Sequence, residues 1–108
     1  MDPLEQLEIH RGEDRALRLL GEIDLASARL LQAEIDHLLT SPGNISLDMS
    51  SVTFMDAAGA HVLLHALEAL DSNRLLLISP SRQVRRLLDL TGLTERPNLG
   101  LEPDLSAP

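Results

Sequence analysis

The sequence predicts a single α/β domain whose helices alternate with mostly short strands. Three observations carry this. Short stretches in which apolar and polar residues alternate take turns along the chain with longer stretches of three- and four-residue spacing, the order of strands and helices in an α/β domain. Helix-start and helix-stop residues punctuate those stretches, notably Asp56 before the central helix and Gly92 after the last. The length, 108 residues, suits one core and leaves no room for a second. The domain is expected over residues 1–102, and the tail 103–108, Pro-Asp-Leu-Ser-Ala-Pro, is expected to fray.

Alternation at Leu4, Leu7 and Ile9, and again at Ala16, Leu17, Leu19 and Leu20, predicts two strands joined at Gly12, Glu13 and Asp14 as an opening hairpin. From Leu25 the spacing becomes helical. Ala28, Leu31, Ile35, Leu38 and Leu39 share one face, Arg29, Gln32 and Asp36 the other, and the helix stops near Ser41, Pro42 and Gly43. Ile45, Leu47 and Met49 alternate with Ser46 and Asp48 as a strand that Val52, Thr53 and Phe54 extend. The next helix is the clearest, with Asp56 as N-cap and Gly59, Val62, Leu63, Ala66, Leu67 and Leu70 on one stripe that must face a sheet. Leu75 to Ile78 reads as a short strand. Ser79 and Pro80 are expected as N-cap and first residue of a last helix that turns Val84, Leu87 and Leu88 inward and ends at Gly92. A final strand is expected around Leu99 to Leu101.

Composition removes several functional classes. The 17 acidic and nine basic side chains leave a formal charge of -8, which repels phosphate backbones and anionic lipid surfaces, so neither nucleic acid nor membrane is expected as a partner. Cysteine is absent and Phe54 is the only aromatic residue, which excludes disulfides, thiolate chemistry and base-stacking platforms. The longest apolar run is far shorter than a membrane span, and the acidic N-terminus has no secretory-signal pattern, so a cytoplasmic protein is expected.

The most informative segment is Asp48-Met49-Ser50-Ser51-Val52-Thr53-Phe54-Met55-Asp56-Ala57-Ala58-Gly59. It resembles the signature of STAS domains of the anti-sigma-factor-antagonist type. Two more segments resemble the same family in the same order: Gly21-Glu22-Ile23-Asp24, and Ser79-Pro80 through Leu87-Leu88-Asp89-Leu90-Thr91-Gly92-Leu93. The resemblance implies a single STAS-like domain, a small mixed β-sheet with helices packed against it, that acts by docking and is not an enzyme. It implies a partner anti-sigma factor with an ATP-binding serine kinase fold, freeing a sigma factor by partner exchange. Asp24, Asp56, Ala57, Ala58, Gly59 and His61 are the positions it places in the contact surface, with the chain a monomer or weak homodimer and no cofactor required. In the family a Ser or Thr just after the signature Asp is phosphorylated by the partner kinase, which releases the partner. This chain departs from that pattern: Ala57 and Ala58 carry no hydroxyl. Two other roles remain open, a scaffold subunit of a stress-signalling assembly and a ligand-sensing or transport-accessory domain.

Read by themselves, the residues leave alternatives. Gly59 in the first helical turn costs about 1 kcal/mol relative to alanine, so something approaches closely there, either a partner or the underlying sheet. His61 and His65 have the spacing of two metal ligands, but the segment between them lacks a glutamate, and a polar stripe with Glu68 is the ordinary explanation, so no metal site is assigned. Asp48 and Asp56 flank Ser50 and Ser51 without a lysine or a glycine-rich phosphate loop nearby, which favours turn and capping roles over acid-base chemistry. Arg82, Arg85 and Arg86 form a basic patch, with Asp89 expected to pair across one turn.

Overall fold

The computed structural model describes residues 6–103. The order is β1 (Leu7–Arg11), β2 (Ala16–Ile23), α1 (Ala28–Leu38), β3 (Ile45–Met55), α2 (Ala57–Leu70), β4 (Leu75–Ile78), α3 (Arg82–Leu90), a short 3₁₀ turn (Leu93–Glu95) and β5 (Leu99–Glu102). The five strands lie in sequence order, β1 antiparallel to β2 and every later pair parallel. The sheet is therefore mixed, as expected. Leu4 and residues 104–108, parts of the expected first strand and tail, lie outside the described residues.

Right-handed crossovers between successive parallel neighbours put α1, α2 and α3 on the same side of the sheet. Burial follows this one-sidedness. Leu17, Leu19, Ile45, Leu47, Met49, Leu75 and Leu77 are buried under the helices, while Glu8, His10, Arg18 and Glu22 alternate with the inward residues and are exposed. The expected α2 stripe is the other half of this core: Gly59, Val62, Leu63, Ala66, Leu67 and Leu70 are all buried. From α1, Ala28, Leu31 and Ile35 join it, and from α3, Val84 and Leu88.

The hairpin turns at Glu13–Ala16, closed by the Ala16 N–H to the Glu13 carbonyl (3.2 Å), with both central residues in the left-handed region, Asp14 (φ 56°) and Arg15 (φ 63°), the pattern of a type I′ turn that matches the twist of the strands. Arg15 is held there by its guanidinium, which donates to the carbonyl of Asn44 (2.9 Å) and to Ser41 Oγ (2.8 Å), tying the hairpin to the α1–β3 connection.

Two expectations need correction. Ser79 is not the cap of α3. It sits at φ 54° and its N–H donates to the Glu102 carbonyl (2.7 Å), so it closes β4 against β5, and the cap is Ser81, whose Oγ accepts from Val84 N–H (3.2 Å). Asp89 forms no ion pair with Arg85 or Arg86 among the described residues. Leu90, on the same helix, is 75% exposed.

Candidate docking site

β2 through β5 run parallel, so the loops that leave their carboxyl ends gather along one rim of the sheet, the position where open α/β sheets carry their sites. Asp24 follows the end of β2 and Asp56 the end of β3, and the Asp56 N–H donates to the Ile23 carbonyl (3.1 Å), which locks the two strand ends side by side.

The signature segment owes its shape to two irregularities in β3. Buried residues fall at 45, 47 and 49 and then at 52 and 55, so the period changes from two to three. The β2–β3 register shifts at the same places, between Arg18/Leu20 and between Gly21/Glu22, and in each case β3 supplies an extra residue. Asp48 holds the first bulge: its Oδ1 accepts from Ser50 N–H (3.0 Å) and Ser50 Oγ (2.7 Å). The second turns both Thr53 and Phe54 outward, leaving Phe54 42% exposed. Opposite, Gly21 takes φ 110°, and any Cβ there would fall on the Gln6 carbonyl, so glycine is required.

Asp56 then starts α2. Its Oδ1 accepts from Ala58 N–H (2.9 Å) and Gly59 N–H (3.4 Å), satisfying two of the orphan donors of the first turn. Ala57 is exposed, Ala58 half-buried and Gly59 buried. A Cβ on Gly59 would lie 2.5 Å from Met55 Cγ and 2.9 Å from Ile23 Cγ2. The close approach inferred at Gly59 is therefore that of helix to sheet, and Gly59 faces the core.

At the end of β2, Asp24 builds a turn of similar logic. Its Oδ1 accepts from Ala26 N–H (3.0 Å) and Ser27 N–H (3.0 Å), its own N–H donates to Ser27 Oγ (3.0 Å), and its carbonyl accepts from Ala28 N–H (2.7 Å), so the approach to α1 is capped from Asp24. This turn thrusts Leu25 outward, 82% exposed. Leu25 and Phe54, two apolar side chains beside Asp24 and Asp56, were not singled out from the sequence. The helical spacing assigned Leu25 no side, and the alternation of β3 cannot reveal a bulge that expels Phe54.

His61 lies one turn beyond Ala57 on the exposed side of α2. Ala57, Ala60, His61, Leu64, Thr91 and Leu93 line a shallow groove of about 180 Å³ between α2 and the end of α3. His65 instead faces Asp36 of α1 (3.9 Å), and Glu68 faces Arg96 (3.5 Å), so the polar stripe on α2 divides between two neighbours. No group of three histidine, aspartate or glutamate side chains converges as metal ligands among the described residues.

The rim thus brings Asp24, Leu25, Phe54, Asp56, Ala57 and His61 to one end of the molecule. Over residues 6–106 the sequence matches the family described as STAS domain. The chain belongs to the STAS domain family. An anti-sigma F factor antagonist from Lysinibacillus sphaericus is 27% identical over 92 residues, spanning 82% of this chain and 79% of that protein. An anti-sigma factor antagonist from Mycobacterium paratuberculosis superposes with a TM-score of 0.77 at 25% identity, over 93% of this chain and 86% of that one. SpoIIAA in its unphosphorylated form shares the fold with a TM-score of 0.74 at 22% identity, over 91% and 87% of the two chains. The mixed five-stranded sheet described above agrees with these superpositions. No helix among the described residues is long and apolar enough to cross a membrane.

Proposed function

We propose that this STAS domain is an anti-sigma factor antagonist that binds a kinase-type anti-sigma factor through the rim formed by Asp24, Leu25, Phe54, Asp56, Ala57, Ala58 and His61, and so frees a sigma factor. One observation carries the reading: in a family whose relatives include anti-sigma factor antagonists, the start of α2 presents the exposed Ala57 and the half-buried Ala58, small, uncharged and without a nucleophilic oxygen. A phosphate there would lie beside the Asp56 carboxylate in a contact surface, where like charge and desolvation both oppose binding. Alanine removes that route, so docking is permanent with respect to the partner's kinase activity. Gly59 contributes from beneath, by letting the helix start sit close on Met55 and Ile23.

Nearby hydroxyls have structural tasks that support the same reading. Ser50 Oγ donates to Asp48 (2.7 Å), Thr53 Oγ1 to the Gly21 carbonyl (3.3 Å), and the buried Ser27 Oγ to the Glu22 carbonyl (2.8 Å).

Co-purification with candidate kinase-type anti-sigma factors, with and without ATP, followed by intact-mass measurement, tests the proposal. The expected result is a complex equally stable under both conditions and a chain of unchanged mass. Phosphate on Ser50, Ser51 or Thr53 together with release of the partner would overturn permanent docking. Absence of any complex would overturn the antagonist role itself.

A further inference from the structure

β4 pairs with β3 only as far as Asp48↔Ile78, so β3 from Met49 onward runs past the end of its neighbour. Its last residue nevertheless has both backbone groups satisfied on that side. Gln83, in the first turn of α3, accepts from Met55 N–H through Oε1 (3.0 Å) and donates from Nε2 to the Met55 carbonyl (2.7 Å). One side-chain amide thereby imitates one rung of a missing parallel strand. On the opposite side the next residue, Asp56, is bonded to Ile23 of β2. Met55 is buried, its side chain packs against Gly59, and its successor caps α2. The rung therefore sits at the root of the exposed helix start.

We propose that Gln83 is a positioning residue for the docking rim: it fixes the end of β3, and through it the Asp56 cap and the orientation of Ala57 and Ala58. This rests on the docking role proposed above only for its consequence on binding; the positioning itself is independent of any partner. A backbone hydrogen bond pair lost at a strand end frees the peptide to rotate, and a contact surface that must order on docking binds more weakly than one already in place.

The test compares Gln83→Met, close in length but without an amide, and Gln83→Asn, which keeps the amide one methylene short, with Arg82→Met as a control one residue away. Amide exchange and backbone shifts are followed by NMR, global stability by urea unfolding, and affinity by calorimetry with the anti-sigma partner. Both Gln83 variants are expected to speed Met55 N–H exchange roughly tenfold or more, the order set by losing such bonds. They should also displace the amide signals of Asp56 to Gly59 and weaken partner binding by a similar factor, with the control matching wild type. Unchanged Met55 exchange, or faster exchange with Asp56 to Gly59 signals unmoved, would overturn the positioning role. If the wild-type chain binds no anti-sigma factor, the docking reading falls, while the exchange result still decides the role of Gln83. Gln83→Asn, which preserves polarity and nearly all volume, keeps the question open to measurement if Gln83→Met does not fold.

Discussion

Replacing Gly59 by alanine sets two opposing effects against each other. In an isolated helix the change is favourable by about 1 kcal/mol. Here the added methyl would meet Met55 Cγ at 2.5 Å and Ile23 Cγ2 at 2.9 Å, in a core where both side chains are fully buried. Overpacking of this kind costs about 1–3 kcal/mol, so Gly59→Ala is expected to lower stability in spite of the propensity gain, read as an earlier urea midpoint with unchanged m-value. A later midpoint would show that the helix start tolerates displacement from the sheet. At the neighbouring Ala57 the expectations reverse. Ala57→Glu adds a carboxylate to the first turn of α2, favourable through the helix dipole by about 0.3–1 kcal/mol, so the fold should hold. Partner binding should fall sharply, because the new charge lies next to Asp56 and would be desolvated without a counter-charge. Unfolding curves and titration calorimetry on the same pair of proteins separate the two effects. Unchanged binding would remove Ala57 from the contact surface.

Among elements, β1 is the edge strand of the opening hairpin, and an ion pair straps it to α1. Arg11 Nε donates to Glu34 Oε1 (2.9 Å) and Nη2 to Oε2 (3.4 Å). That hydrogen bond, aided by the guanidinium charge, holds the Glu34 carboxyl below its ordinary range and the Arg11 guanidinium above its own. A depressed carboxylate stabilises the fold above the unfolded pKa, about 4.3 for glutamate, and the contribution is lost as pH falls through the lower folded value. Glu34→Gln should therefore be slightly less stable than wild type at neutral pH, the gap shrinking with added salt and closing in acid, since exposed pairs contribute little and are screened. A gap in urea midpoint that persists in acid would mean that packing, not charge, joins β1 to α1. The elements themselves were legible to different degrees. α2 could be read nearly residue by residue, because Asp56 and the stripe from Gly59 to Leu70 are local signals. β3 could be read as a strand as far as Phe54, but which of its side chains face inward could be read only as far as Met49, where the bulges break the alternation. The cap of α3 was displaced by two residues because Ser79 and Ser81 both precede the helix, and only the bond from Ser79 N–H to Glu102, distant in sequence, decides between them. Gln83 gave no signal at all: a polar residue on an amphipathic helix looks like any solvated side chain until the strand end it serves is in place.

At the scale of the whole molecule, the charge balance and the one-sided architecture act together on docking. The helices cover one face of the sheet, and the proposed docking rim carries the acidic Asp24 and Asp56 and the exposed apolar Leu25 and Phe54, on a chain of formal charge -8. Such a molecule approaches a basic partner surface faster than diffusion of neutral bodies allows, and the gain is confined to roughly a Debye length, about 10 Å at 0.1 M salt. In the docking proposed above, the apolar side chains and the capped helix start act only at contact, so they should govern how long the complex lasts. Raising ionic strength from about 0.05 to 0.5 M should therefore slow association with the anti-sigma factor severalfold, while the dissociation rate changes much less. Surface-plasmon or stopped-flow measurements across that range separate the two rates. Leu25→Ala and Phe54→Ala should show the converse, faster dissociation with an association rate and salt slope like those of wild type. Salt-independent association would mean that the net charge serves solubility alone, and salt-accelerated dissociation with unaltered association would place desolvated ion pairs, rather than Leu25 and Phe54, at the centre of the contact.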